Sequence, residues 1–120
     1  MSEASALAGR KILVVEDEFL IVDYLVELLE SSGVEVIGPA GSIEKALTLI
    51  AAAPRIDGAM VDLNLRGEMS FAVADALRAR GVPFAFTTGY DGSAIPERYS
   101  DVARYQKPAG PIEILSALLA

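Results

Sequence analysis

Short apolar runs alternate with longer segments of helical periodicity along most of the chain. The first run, Lys11–Val15, is rich in Val and Ile, which is typical of a strand buried on both faces. Residues 18–32 then repeat apolar side chains at helical spacing and end before Gly33, a natural helix terminator. The side chains predicted to face the sheet are Ile21, Leu25, Leu28 and Leu29.

The same alternation continues to the end of the chain. Further strands are predicted at residues 34–37, 57–61, 83–87 and 102–106, and further helices at 42–53, 70–80 and 112–119. Ser42 is the predicted N-cap of its helix. Residues 89–100 contain two Gly and one Pro, so we expect at most a short or irregular fourth helix there.

Five strands that alternate with helices predict an α/β fold. The expected architecture is a doubly wound (βα)5 domain whose parallel sheet has the flavodoxin-like order 2-1-3-4-5. Residues 1–10 are predicted to be a loosely held lead-in, and residues 11–120 form one domain. Ligands of such sheets bind at the carboxyl ends of strands 1 and 3, where the strand order reverses.

Polar side chains are concentrated at that edge of the predicted sheet. Glu16 and Asp17 follow strand 1, Asp62 follows strand 3, Thr88 follows strand 4 and Lys107 follows strand 5. Two carboxylates about 4 Å apart repel by about 4 kcal/mol at an effective dielectric of 20. One lysine offsets part of that repulsion, and a hard divalent cation such as Mg²⁺ would offset more. Glu18, the third acid of the run, is expected to start the helix in solvent.

Composition narrows the chemistry further. The chain has no Cys and no His, which excludes disulfides, thiolate sites, imidazole ligands and the usual serine triad. A net charge of −7 argues against nucleic acid as a partner. No apolar run is long enough to span a bilayer and no signal peptide is evident, so we expect no membrane partner and a cytoplasmic location.

Four short motifs, in this order, resemble those of a receiver domain from a response regulator of two-component signalling. They are "VVEDE" after strand 1, "VDLNLRG" after strand 3, "FTTGY" after strand 4 and "QKP" after strand 5. The resemblance implies that residues 11–120 form a receiver domain. Asp62 would accept a phosphoryl group from the phosphohistidine of a sensor histidine kinase or histidine phosphotransfer protein.

The resemblance also implies roles for the other residues at the sheet edge. Asp17, Glu16 and Asp62 would hold Mg²⁺ together with the backbone carbonyl of Asn64. Thr88 and Lys107 would grip the phosphoryl oxygens, and the Lys107–Pro108 peptide would be cis. Receivers commonly meet their kinases near the first helix, signal through a downstream protein and exist as monomers or weak homodimers.

The fourth and fifth strands depart from the common receiver pattern. "PFAFTTGY" partly matches a subgroup with a Phe-Ala-Thr-Gly-x-Tyr signature, known for single-domain regulators, and places Tyr90 two residues beyond Thr88. Many receivers carry an aromatic switch residue three positions before the lysine, where this chain has Arg104. Tyr105 lies one residue later, on the opposite face of a strand, which argues against its acting as that switch.

Other functions remain compatible with these residues. "DLN" also resembles the nucleophile motif of Mg²⁺-dependent aspartyl phosphohydrolases, although those normally have a second carboxylate where this chain has Asn64. A receiver-like scaffold that acts without phosphorylation is a third possibility. We expect no enzymatic activity beyond the domain's own phosphorylation and dephosphorylation. The surplus apolar residues of the first and last helices either bind a partner or cover each other.

Overall fold

The computed structural model describes residues 6–89 and 95–120, and five parallel strands form the sheet at its centre. The strands are β1 (Lys11–Val15), β2 (Glu35–Ala40), β3 (Gly58–Asp62), β4 (Phe84–Thr88) and β5 (Arg104–Gln106). They lie side by side in the order β2-β1-β3-β4-β5, and every neighbouring pair is parallel. The predicted fold and strand order are confirmed.

Helices cover both faces of the sheet. They are α1 (Phe19–Ser31), α2 (Ile43–Ala52), α3 (Phe71–Ala79) and α4 (Pro111–Leu118), and a 3₁₀ turn spans Glu97–Tyr99. Apolar side chains of α2 and α3 pack on one face, and those of α1 and α4 pack on the other. Ser42 caps α2 as predicted, because its Oγ accepts a hydrogen bond of 3.2 Å from the backbone N–H of Lys45. Within the described ranges, no helix has the length and apolar content needed to cross a membrane.

The second strand is longer than the sequence predicts. It continues through Gly38 and Pro39 to Ala40, three residues past the predicted end at residue 37. Proline has no N–H for the ladder, and the register with β1 shifts there before pairing resumes between Val15 and Ala40. Because β2 is an edge strand, the irregularity disturbs only one neighbour.

The described part of the lead-in is anchored to the domain, contrary to our prediction. Leu7 is buried in the layer between the sheet and α1/α4. The N–H of Gly9 donates to the carbonyl of Gly33, and that of Arg10 donates to Leu7. A single buried leucine among alanines and small polar residues shows no helical or strand periodicity, so the sequence pattern does not predict its burial.

A small hairpin that the sequence analysis missed follows β3. Asn64–Leu65 pairs in antiparallel fashion with Glu68–Met69, and Arg66 and Gly67 form the two-residue loop. Both loop residues have positive φ angles, 52° and 87°. This is the backbone signature of a type I′ turn, although such turns favour Asn-Gly over Arg-Gly. Strands of two residues are too short to show an alternating pattern.

Tyr99 anchors the 3₁₀ turn to the hydrophobic core. The sequence pattern did not predict this role. Its ring is fully buried, stacks on Phe71 at 5.7 Å and meets Phe86 edge-on at 5.8 Å. Its hydroxyl donates to the carboxylate of Asp75 and lies 3.1 Å from the carbonyl oxygen of Phe71. The Arg98 guanidinium lies 4.6 Å from the ring centroid. These contacts hold the turn against α3 and against β4, where Phe86 lies two residues before Thr88.

Replacing Tyr99 with Phe should lower the free energy of unfolding by about 1 kcal/mol. The ring packing would survive, whereas the hydrogen bonds of the hydroxyl would be lost. Urea denaturation measures the change, and Tyr24→Phe is the matched control because Tyr24 is about half exposed, whereas Tyr99 is fully buried. Equal losses in the two variants would contradict an anchoring role for the Tyr99 hydroxyl.

Candidate functional site

The carboxyl ends of four strands meet at one edge of the sheet and bring the predicted site residues together. Glu16 and Asp17 follow β1, Asp62 and Thr88 are the last residues of β3 and β4, and Lys107 follows β5. Carboxylate oxygens of Glu16, Asp17 and Asp62 lie within 4.8 Å of one another. The parallel arrangement therefore produces the crevice that the sequence predicts at the point where strand order reverses.

Lys107 is the cation at the centre of this crevice. Its Nζ lies 2.9 Å from Asp62 Oδ2 and 2.8 Å from Glu16 Oε1. The Glu16 and Asp62 side chains are almost completely buried, whereas Asp17 is half-buried. Glu18 is largely exposed, as expected, but its Oε1 lies 3.8 Å from the same ammonium. The lysine thus faces three carboxylates.

Glu16 is fixed by backbone donors as well as by the lysine. Its Oε2 accepts hydrogen bonds from the N–H groups of Asp17 and Glu18, at 3.0 and 3.1 Å. These donors precede the first turn of α1, where the helix dipole favours negative charge. The longer side chain of Glu at this position therefore folds back on its own backbone while Oε1 still reaches Lys107.

Burial controls the ionisation of Asp62. Loss of hydration raises the pKa of its carboxyl from 3.8 to about 7, and repulsion from Glu16 acts in the same direction. Hydrogen bonds from Lys107 and from the N–H of Asn64 oppose this rise. Burial disfavours the ammonium of Lys107, but hydrogen bonds to Glu16 and Asp62 hold its pKa above the usual value.

The donor set of the crevice fits a hard divalent cation. The convergent ligand atoms are all carboxylate oxygens, the type that Mg²⁺ and Ca²⁺ prefer. Asp17 is oriented by a hydrogen bond of 3.0 Å from the N–H of Arg66 to its Oδ2. Asn64 lies beside the cluster and donates its N–H to Asp62 Oδ1 at 3.1 Å, while the role of its carbonyl stays a prediction.

Ser70 and Arg66 support the site but escaped the sequence analysis. Ser70 is buried, and its Oγ donates to the carbonyl of Asp62 at 2.6 Å instead of capping α3. A serine at a predicted helix start is normally read as a cap, which hides this role. Arg66 acts through its backbone N–H, and a backbone hydrogen bond cannot be predicted from the type of residue that donates it.

The remaining predictions concern β4 and β5. Thr88 is buried at the end of β4, where its carbonyl accepts a hydrogen bond of 2.7 Å from the N–H of Lys107. The Lys107–Pro108 peptide is cis, as predicted. Tyr105 packs against the apolar layer of α1 and α4, and its register partner is Thr87. Tyr90 lies outside the described residues, so its predicted position stays untested.

The chain is similar to solved protein structures over most of its length. It is 38% identical to SdrG from Pseudomonas melonis Fr1 in the BeF3-activated conformation. The TM-score is 0.77, and the match covers 94% of this chain and 98% of SdrG. It is 27% identical to a response regulator from Burkholderia pseudomallei with a phosphorylated aspartic acid and a calcium ion; the TM-score is 0.77, and the match covers 92% and 66% of the two chains.

The chain is also similar in sequence to a protein that is named as a sensory transduction protein. The sensory transduction protein LytT of Bacillus cereus is 37% identical over 98 residues, which are 79% of this chain and 39% of LytT. The chain therefore spans about two fifths of this curated relative. No protein-family model matches the chain. SdrG is a response-regulator receiver domain, and the match covers it almost completely at 38% identity. Together with the fold and the acidic crevice, this establishes that the chain belongs to the response-regulator receiver domains of two-component signalling.

Proposed function

We propose that Asp62 is the residue that accepts the phosphoryl group. The observation that carries this proposal is the position of a buried carboxylate at the end of β3, 2.9 Å from an ammonium and beside two further acids. The phosphorylated aspartic acid of the Burkholderia pseudomallei response regulator supports the same chemistry.

The proposed reaction is an in-line transfer from a phosphohistidine. An oxygen of the ionised Asp62 attacks phosphorus, the P–N bond to the donor imidazole breaks, and an acyl phosphate forms. Lys107 and Thr88 would hold the phosphoryl oxygens, and the ammonium already lies within hydrogen-bond distance of Asp62. Catalysis by the chain is limited to this transfer and to the later hydrolysis of its own acyl phosphate.

Four residues would hold a divalent ion, which we propose to be Mg²⁺. They are Glu16, Asp17 and Asp62 through carboxylates and Asn64 through its backbone carbonyl. When bound, the ion supplies positive charge to the phosphoryl oxygens. Glu16 contributes less freely than Asp17, because both of its oxygens already accept hydrogen bonds from protein donors.

Phosphorylation with a small donor tests the proposal directly. We expect incubation with Mg²⁺ and acetyl phosphate to add a single phosphate, detected by intact mass. Sustained turnover of phosphate esters would instead favour the phosphohydrolase, and an unmodified chain would favour the phosphorylation-independent scaffold. Such a domain is proposed to act in the cytoplasm, where it meets a histidine kinase and passes the signal to a downstream protein.

The start of α1 is the surface that we propose for the kinase. Phe19 and Leu20 are 78% and 80% exposed, and Tyr24 is 47% exposed. Packing of α1 against α4 covers Leu25 and Leu29 but leaves these three side chains uncovered. Phe19 directly follows Glu18, whose carboxylate lies 3.8 Å from Lys107, so this patch borders the crevice. An apolar patch at that position suits a helix that delivers a phosphohistidine.

Leu20→Asp should lower the rate of phosphotransfer from the cognate kinase by at least about tenfold, because a charge is placed in the apolar contact. The rate with acetyl phosphate should stay within about twofold of the parent. Phosphotransfer profiling against purified sensor kinases measures the first rate, and intact mass after incubation with acetyl phosphate measures the second. Ala72→Asp, on the exposed side of α3, is the control, and an equal loss with both phosphodonors would contradict a docking role.

A further inference from the structure

The hairpin that follows β3 contacts two of the acids in the crevice, Asp62 and Asp17. Its first residue, Asn64, donates its N–H to Asp62 Oδ1 at 3.1 Å. Its loop residue Arg66 donates its N–H to Asp17 Oδ2 at 3.0 Å. Asp17 and Asp62 are 45 residues apart in the chain, yet one short turn bonds to both carboxylates. The turn is therefore placed to fix the separation of two groups that repel each other.

The conformation of this turn is one that Arg66 adopts at a cost. A left-handed backbone at a residue other than glycine is unfavourable by about 1–2 kcal/mol, and Arg66 has a φ of 52°. Such a conformation persists only where neighbouring groups hold it. Asp17 Oδ2 accepts from Arg66 itself, and within the turn Asn64 Oδ1 accepts a hydrogen bond of 2.9 Å from the N–H of Gly67.

The rest of the hairpin is also firmly attached to the domain. Leu65 is buried in the layer beneath α2 and α3. Ser70 closes the segment by donating its Oγ to the carbonyl of Asp62, and its N–H donates to the carbonyl of Leu63. The loop between Leu65 and Glu68 is thus the part whose shape depends on the Asn64 side chain.

We propose that the Asn64 side chain is a positioning group for the acidic crevice, acting through the Arg66–Gly67 turn. Asn64 Oδ1 holds the turn, the turn places the Arg66 N–H, and that N–H orients the Asp17 carboxylate for a divalent cation. The proposal rests on the proposed function in its metal-binding part. It assigns the side chain of Asn64 to the turn, separately from any role of its backbone carbonyl as a ligand.

A double-mutant cycle on the full chain tests this route of action. Asn64→Ala should raise the Kd for Mg²⁺, followed by amide NMR shifts, by about 5–10-fold, the size expected for one lost hydrogen bond. Arg66→Asn introduces the Asn-Gly pair that a type I′ turn prefers, so the turn should then hold without the lock. In that background the Asn64→Ala effect should shrink to less than about twofold.

Amide hydrogen exchange supplies a readout that needs no metal. In EDTA, the Arg66 N–H should exchange about tenfold faster in Asn64→Ala than in the parent, while amides of β1 and β3 keep their protection. An equal loss of Mg²⁺ affinity in both backgrounds would overturn the proposal, as would unchanged exchange at Arg66. A parent chain that binds no Mg²⁺ would refute the proposed metal site, and the exchange comparison would still decide the role of the turn.

Discussion

Asp62→Asn should abolish the incorporation of phosphate, leaving the intact mass unchanged after incubation with Mg²⁺ and acetyl phosphate. The amide cannot form the acyl phosphate, although it keeps the size of Asp62 and one oxygen that can accept from Lys107. Asp23→Asn, an exposed substitution on α1, should still gain one phosphate. Phosphate on the Asp62→Asn chain at the parent's level would show that another residue is the acceptor.

The same variant should be more stable than the parent in EDTA at pH 8, by about 1–2 kcal/mol, because burial disfavours the ionised carboxyl, while the amide cannot accept from both Lys107 and the Asn64 N–H. The pKa of Asp62 rises from 3.8 in the unfolded chain to about 7 in the folded one. Between these values the folded state binds the extra proton, so raising the pH favours unfolding. Protonated Asp62 therefore makes its full contribution to the stability of the folded parent below about pH 4, and this contribution is lost above about pH 7.

Urea denaturation at a series of pH values measures this difference. Subtracting the Asp62→Asn curve from the parent curve removes the titrating groups that do not interact with Asp62, which leaves the contribution of Asp62 and of its two partners, Glu16 and Lys107. The difference should change between about pH 4 and pH 7 and be flat above that range. A difference that does not vary with pH would contradict a raised pKa at this residue.

Lys107→Ala should lower both the free energy of unfolding and the rate of phosphorylation. The substitution leaves Glu16 and Asp62 nearly fully buried without the ammonium that lies within 3 Å of each. Removing one partner of a buried ion pair typically costs about 3–5 kcal/mol, and protonation of Asp62 relieves part of that, so we expect a loss of about 2–4 kcal/mol. The rate of phosphorylation should fall by at least about 100-fold, because the group that neutralises the phosphoryl oxygens is gone.

Urea denaturation in EDTA at pH 8 and intact mass with acetyl phosphate measure the two effects. Lys45→Ala is the matched control, since the Lys45 side chain is exposed on α2. Saturating Mg²⁺ should restore part of the stability of Lys107→Ala, because a bound cation favours the folded state by mass action. A Lys107→Ala chain as stable as the parent in EDTA would contradict the central role of this lysine.

The sheet and its crevice could be predicted because they depend on patterns that the sequence displays. Apolar runs and helical periodicity determine the order of elements, and parallel strands place Glu16, Asp62 and Lys107 at the same edge. Strand ends shifted by one to three residues, chiefly at Pro39, where a strand continues past a residue that normally ends it.

The hairpin, Leu7 and Tyr99 could not be predicted for a different reason. Each depends on a contact between distant segments: Arg66 with Asp17, Gly9 with Gly33, and Tyr99 with Asp75. Local composition does not specify such contacts, and backbone donors are the same for every residue except proline. The acids and Lys107 could be identified in the sequence, but the backbone N–H groups that hold the acids in position could not.

The short last strand has a consequence for the order in which the site is completed. The three acids and the hairpin lie within the first 69 residues of the chain, whereas Lys107 lies 45 residues after Asp62, directly after a three-residue edge strand. Edges of this kind open locally at lower free energy than the centre of a sheet. Fraying of β5 would remove the cation while the carboxylates stay assembled, so competence for phosphorylation would be lost before the fold itself.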